Sequence, residues 1–291
     1  MNIINLRTFL AVVETGSLIA ASKQMNVTQS TITARLHALE DDLGQKLLMR
    51  QKSGATMTAS GLKFKRYAEV MTELWRQAKQ ETSLPEGMTA MCNIGCQLDL
   101  WPHLGHDLFN DINSRYPDVA VTAWPATQTD IERWLGAGVI DLAIGYQPSV
   151  QAGQTNLMLG EDELVLVGDR PDRPVRFDDG YIYVDAGEAF GRDHAAAYVD
   201  AGVARISFGS ALWALDYLLE EGGSAYLPLR LTADHLKDGR LFRLANAPQF
   251  NRRIVLITSD ASTRHWPWLD AVIERLKTSF QEELQEKRDR V

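Results

Sequence analysis

The feature that most constrains this chain is a short helix followed at once by a longer one with an unusual polar face. In NVTQSTITARLHALEDDLG, residues 26–44, Ile32, Leu36, Leu39 and Leu43 recur at helical spacing and form one apolar face. Thr28 is placed to cap the start and Gly44 to end the helix in a left-handed conformation. The opposite face carries Ser30, Thr33, Ala34 and His37, flanked by Gln29 and Arg35. An ordinary solvated face would favour Glu and Lys, which are strong helix formers. Upstream, Leu6, Phe9, Leu10 and Val13 predict a first helix ending at Thr15-Gly16. Ser17 then caps a short helix, LIAASKQM, whose Ala20, Ala21 and Ser22 permit close packing. Asn26 tolerates the left-handed conformation that a sharp corner between helices needs.

Short helix, tight turn and second helix is the helix-turn-helix plan. In that plan the N-terminal residues of the second helix meet base edges in the DNA major groove. Gln can bond adenine through two contacts, Ser and Thr serve either base type, and an Ala or Thr methyl can touch thymine. Thr28, Gln29, Ser30, Thr31, Thr33, Ala34 and Arg35 are therefore the candidates to meet DNA. A merely polar surface helix would show the same periodicity, and this helix alone does not separate the two readings. KLLMRQKSGATMT, residues 46–58, reads as two extended segments around Ser53-Gly54. Arg50, Lys52 and Ser53 on that hairpin suit phosphate contacts, which fix position without reading sequence. From Thr58 a helix is expected to about Leu84, with Phe64, Tyr67, Met71, Leu74 and Ala78 as an a/d seam of about two heptads. Lys63, Lys65 and Arg66 at its start would lie beside DNA.

Charge divides the same way. Residues 1–66 hold nine Lys and Arg against four Asp and Glu, a net +5, which leaves −13 on the rest of a chain whose total is −8. A basic head on an acidic body implies a polyanion partner for the head alone. MNIINLRTFLAVVE lacks the basic flank and long apolar run of a signal peptide, and no apolar run is long enough for a membrane span. Two cysteines, Cys92 and Cys96, make no disulfide framework and fit a reducing cytoplasm.

After LPEGM, where Pro85 and Gly87 break helices, the texture changes to α/β. CNIGC, YPDVAVTAW and DLAIGY read as strands, alternating with helices at about 101–114 and at TDIERWLGAG. Such alternation implies parallel pairing with covered faces. ELVLVGD, residues 163–169, is a strand able to cross to a second lobe. YIYVD, ARISF, SAYLP and RRIVLI follow as strands there, with SALWALDYLLEEGG a helix and WLDAVIERLKTSF the last one, returning to the first lobe.

LRTFLAVVETGSLIAASKQMNVTQSTITARLHALEDDLGQKLLMR, with the T-x-x-G of Thr58 to Gly61, resembles the N-terminus of the LysR-type transcriptional regulators. RYPDVAV, DLAIGY and LLEEGGSAYLP resemble that family's effector-binding domain, so the likeness runs from about residue 3 to about 280. It implies an α plus α/β protein. Residues 1–58 would form a winged helix-turn-helix, and 59–87 a linker helix and hinge. Residues 88–291 would form a two-lobed domain of periplasmic-binding-protein type. Lobe I would span about 88–164 and 265–291, and lobe II about 165–264. The base-contacting positions fall on Gln29, Ser30, Thr33 and Ala34; Ser22 stands where a second alanine is usual, and Ala34 where many members carry a longer polar residue. The implied partners are double-stranded DNA with an interrupted inverted repeat, a small-molecule effector, and a second copy paired through the linker helix. Tetramer assembly and contact with RNA polymerase are implied further, without cofactor or metal.

A ligand in such folds binds between the lobes, at strand ends and helix N-termini. Carried onto this sequence, that cleft takes in Gln97, Leu98, Asp99, Thr127, Gln128, Tyr146, Asp185, Ser210 and Trp213. Members usually place Ser or Thr in the first loop, where this chain has Gln97-Leu98-Asp99. A carboxylate there repels an anionic effector. Asp99 is therefore expected to bond an amine or hydroxyl of the effector, or else the backbone amides of a helix start.

Other constellations carry less. Cys92 and Cys96 at C-x3-C read as buried thiols rather than a redox pair, since a reactive thiol needs an electropositive, exposed site. His103 and His106 lack partners at metal-ligand spacing, and no nucleophile elbow, H-E-x-x-H or phosphate loop occurs. Two function classes remain: an effector-responsive DNA-binding regulator of the cytoplasm, or a solute-binding protein or small-molecule enzyme whose head serves assembly only.

Overall fold

The computed structural model describes residues 2–51, 54–82, 87–199, 204–264 and 266–289. They divide between Gly87 and Met88 into two compact units. No single described helix is long and apolar enough to cross a membrane.

The first unit opens with α1 (Ile3–Thr15), where the Asn2 side chain accepts from the Ile4 amide and Gly16 ends the helix in the left-handed region. Next comes α2 (Leu18–Gln24), capped by Ser17, then α3 (Gln29–Leu43), capped by Thr28 and closed by Gly44 at φ 64°. Asn26 takes the corner between them at φ 52°. Ile32, Leu36 and Leu39 of α3 bury against Leu6, Phe9 and Val12 of α1, whereas Leu43, fourth in the expected stripe, is exposed. β1 (Leu48–Gln51) and β2 (Gly54–Met57) pair antiparallel as the wing. Gly54 is the first residue of β2, opposite Gln51, and so belongs to a strand rather than to the expected turn; Lys52 and Ser53 lie outside the described residues.

α4 (Ala59–Thr82) starts from Thr58, whose Oγ1 accepts from the Gly61 amide at 2.9 Å. A Cβ at Gly61 would overlap the Leu47 carbonyl, which is why this turn carries glycine. The expected seam is split. Phe64 and Met71, with fully buried Ala68, pack onto the head's own core, while Tyr67 and Ala78 are exposed and Leu74 half-buried. Phe64 and Ala68 point about 60° or more away from Tyr67 and Leu74 at 3.6 residues per turn, so one stripe serves two faces. Pro85, at the expected hinge, lies outside the described residues, whereas Gly87 adopts φ 95°.

The second unit begins with β3 (Ala90–Cys96). The helix expected from Trp101 is broken: Pro102 is extended, His103 takes φ 71°, and the regular helix α5 (His106–Arg115) starts later. There follow β4 (Val119–Pro125), α6 (Gln128–Gly136), β5 (Leu142–Gly145) and the long β6 (Gln154–Gly168). The second lobe holds β7 (Tyr181–Val184), α7 (Glu188–Ala197), β8 (Ile206–Phe208) and α8 (Ala211–Glu221). It continues with β9 (Ser224–Pro228), α9 (Leu229–Lys237) and β10 (Phe242–Arg243). β11 (Phe250–Ser259), α10 (Asp260–Thr263) and α11 (Leu269–Asp289) complete the chain.

Among the described residues one mixed sheet runs β4-β3-β5-β11-β6-β9-β7-β8, with β10 on β6. β3 pairs parallel with β4 and β5, and β7 with β8 and β9, as strand-helix alternation implies. β6 and β11 are antiparallel and run through both lobes, paired from Leu164↔Phe250 to Gln154↔Ser259. β6 therefore starts before the expected 163. β11 re-enters the first lobe at Ile254, whose side chain joins the core of Ile94, Leu108, Val272 and Phe280, earlier than the expected 265. The helix α7 covers one face of lobe II with Phe190, and α8 and α9 cover the other with Leu215, Leu218 and Leu231.

Candidate DNA-reading face and lobe junction

The α3 start is ordered by its own hydroxyls. Thr28 Oγ1 accepts from the Thr31 amide at 3.2 Å and lies 2.8 Å from both Ser30 Oγ and Thr31 Oγ1. Gln29, Ser30 and Ala34 are exposed, and Thr31, Thr33 and Arg35 half-buried; at 3.6 residues per turn Ser30 and Ala34 lie opposite Ile32, Leu36 and Leu39, and Gln29 and Arg35 flank that buried face. The backbone of Arg50 belongs to β1, and its side chain lies outside what is described.

The link from α3 to the wing is Glu40, which the sequence did not single out. Its buried carboxylate accepts from the Leu47 and Leu48 amides and from Lys46 Nζ, at 2.9, 3.3 and 2.6 Å. Burial pushes its carboxyl up, but the Lys46 ammonium and the two amides pull it further down, below the ordinary range. The signal available in the sequence was an acidic residue on the apolar side of a helix otherwise facing a core.

Of the nine cleft candidates, Asp99 and Ser210 meet directly. Ser210 Oγ donates to Asp99 Oδ1 at 2.7 Å, and the first amides of α8, at Ala211 and Leu212, donate to its carboxylate at 3.0 and 3.3 Å. The second expectation for Asp99, the amides of a helix start, is the one the structure realises. Gln97 and Gln128 gather at Gly145 on the end of β5, where a Cβ would lie 3.7 Å from each amide group. Gln97 Oε1 accepts from the Tyr146 amide, and Gln128 Nε2 donates to Glu132, leaving Gln128 Oε1 buried with no partner among the described residues. Thr127 caps α6 in reciprocal bonds with Asp130. Leu98 is 41% and Trp213 60% exposed. Asp185 is exposed; its carboxylate accepts from the Gly187 amide, and its own amide donates to the Phe208 carbonyl, two residues before Ser210.

Beneath them lies a buried ion pair that sequence reading missed. Arg230 and Asp162 are both fully buried and bond at 3.0 and 3.2 Å. Burial opposes the guanidinium charge, but the Asp162 carboxylate holds it firmly protonated. Arg230 Nη2 also donates to the Asp99 carbonyl, and Tyr146 OH donates to Asp162 at 3.1 Å. The Tyr146 phenol is thus committed inside the protein, with the Arg252 guanidinium 3.3 Å from its ring centroid. A cavity of about 940 Å³ lies elsewhere, in lobe II, lined by Tyr181, Tyr183, His194 and Tyr198 among others; none of the nine candidates lines it. Cys92 and Cys96 are buried in the first-lobe core, where burial pushes the Cys96 thiol up to about 12.

A wing-bearing helix-turn-helix with an exposed polar face, followed by a two-lobed α/β unit, is the architecture of a one-component DNA-binding regulator. Residues 3–62 match the family of bacterial regulatory helix-turn-helix proteins of the lysR family, and residues 86–281 match the LysR substrate binding domain. The chain belongs to the LysR family of transcription regulators. It is 30% identical over 167 residues to the HTH-type transcriptional regulator YofA of Bacillus subtilis, covering 57% of this chain and 58% of YofA, less than two thirds of that relative. It is 23% identical over 263 residues to HdfR of Escherichia fergusonii, 89% of this chain and 92% of HdfR. The crystal structure of CbnR, a LysR family transcriptional regulator, superposes with a TM-score of 0.69 at 19% identity, covering 96% of this chain and 99% of CbnR.

Proposed function

We propose that this protein is a cytoplasmic, sequence-specific transcription regulator whose DNA affinity responds to a small molecule at the lobe junction. The exposed, hydroxyl-and-amide start of α3 carries the reading: its side chains are positioned by the helix yet directed to solvent. Thr28, Gln29, Ser30, Thr31, Thr33, Ala34 and Arg35 face the groove, and Arg50, Lys52 and Ser53 approach phosphate. The effector contacts Gln97, Leu98, Gln128 and Trp213, with Asp99, Thr127, Tyr146, Asp185 and Ser210 around them; Gln128 Oε1, buried and with no partner among the described residues, offers it an acceptor. A titration with DNA from the gene's own upstream region, repeated at two salt concentrations, tests the function. Specific binding that weakens steeply with salt is expected, and equal weak binding to all sequences would remove the proposal.

The protein acts as a dimer, further paired to a tetramer, on an interrupted inverted repeat, in contact with RNA polymerase. Half-site symmetry mirrors protein symmetry. Met71 is no test of this assembly, because it packs into the head. Leu74→Glu with Ala78→Glu changes the outward face of α4 and is expected to give monomers by light scattering. A double variant that stays dimeric would take the linker helix out of the assembly.

A further inference from the structure

Asp99 belongs to the first lobe and α8 to the second, yet the Asp99 carboxylate sits on the α8 N-terminus as a bound anion would. Ser210, at the position that normally caps such a helix with its own oxygen, makes no such cap and donates its hydroxyl to Asp99 instead. Asp99 is only 9% exposed, and its carbonyl is gripped by the fully buried Arg230 that pairs with Asp162. The carboxylate is therefore presented by a braced turn, and three donors of the opposite lobe are spent on it.

We infer that Asp99 is a built-in occupant of an anion seat between the lobes: it holds them together with no small molecule bound, and a free carboxylate serves there only when the Asp99 side chain is gone. A tethered group competes at high effective concentration, so a monocarboxylate in solution does not displace it. This rests on the two-lobed regulatory reading above and specifies its regulation: any effector acting at this seat has to displace an internal carboxylate, and one that does not acts beside it.

Thermal unfolding of the full chain tests this with acetate and formate as probes, against chloride and acetamide at matched concentration. Asp99→Gly removes a group the size of acetate, and Asp99→Ala one the size of formate. Both variants are expected to melt below the wild type. Acetate is expected to raise Asp99→Gly by about 5 °C at ~100-fold above its Kd, formate to act better on Asp99→Ala, and neither to move the wild type. Chloride and acetamide should do nothing comparable. If Asp99→Gly is recovered folded only when acetate is present, that too supports the seat; failure of acetate to restore it overturns it. Equal stabilisation of wild type and variants by carboxylates also overturns it. DNA affinity of the same wild-type preparation is read separately, so loss of DNA binding would refute the regulatory reading and leave the acetate result standing.

Discussion

The start of α3 and the lobe junction are both rich in short polar side chains, and they use them in opposite ways. On α3, Gln29, Ser30 and Ala34 are exposed, and Gln29 and Thr33 make no hydrogen bond among the described residues. At the junction Asp99, Ser210, Tyr146 and Gln97 are all bonded to the protein itself. The physical reason is solvent. A polar group in water loses nothing by waiting for a partner, whereas a buried one left unpaired costs about 1–3 kcal/mol. An unengaged polar side chain on a rigid, exposed helix therefore speaks of an external ligand. A buried polar side chain speaks first of the fold.

The sharpest way to break this contrast is Arg230→Ala. It leaves Asp162 buried without its counter-ion, and a loss of about 3–5 kcal/mol in denaturant unfolding is expected. A cost below about 1 kcal/mol would mean that water reaches the pair and that the junction is not the closed network described. On the other side, Gln29→Ala is expected to leave stability within about 0.5 kcal/mol while weakening specific DNA binding by about 1–3 kcal/mol. Preference should relax at one base position. If stability fell instead and DNA affinity stayed, Gln29 would belong with the structural residues.

Glu40 joins the two categories, since it is a buried charge inside the DNA-binding head. Its carboxyl is held below the ordinary range, so the charged form favours the fold. Its contribution is complete above the unfolded carboxylate value, about 4.3, and fades as pH falls through the lower folded value. Glu40→Gln is expected to cost about 1 kcal/mol at pH 7, and the difference from wild type should shrink on acidification below about pH 4. A difference independent of pH would assign the loss to packing rather than charge. The smallest effect is expected of the cysteines. With both thiols buried and their titration pushed up, peroxide should leave DNA affinity unchanged. A peroxide effect abolished by Cys92→Ala would show that the first-lobe core opens.

The caps and corners of the head were readable because their physics is local. Thr28, Ser17, Asn26 and Gly44 each act within a few residues of themselves, so residue type and spacing suffice. The strands of the second unit were readable in type for the same reason, from apolar runs such as DLAIGY. The helix α7 was missed because its polar EAFGRDHAAA buries little besides Phe190, and α9 because Pro228 and a buried Arg230 disguise an amphipathic helix. The Trp101 helix failed at Pro102, a residue that restricts both itself and its neighbour.

Side-chain partners far apart in sequence were beyond such local rules. Phe64 and Met71 matched a heptad seam as well as they matched a head-packing face, and only the neighbouring core separates the two. That Asp99 would meet a helix start was one of two outcomes left open by its chemistry. Tertiary structure decided between them by bringing Ser210, Ala211 and Leu212 of the other lobe within reach. The sequence by itself determined the class of protein, the head and its capped helices, because hydrogen bonds and periodicity within a helix are set by near neighbours. Only the tertiary structure decided how Arg230 pairs with Asp162, 68 positions away, where Asp99 meets Ser210, 111 positions away, and where the return strand crosses the lobes, because those choices belong to residues that the fold alone makes adjacent.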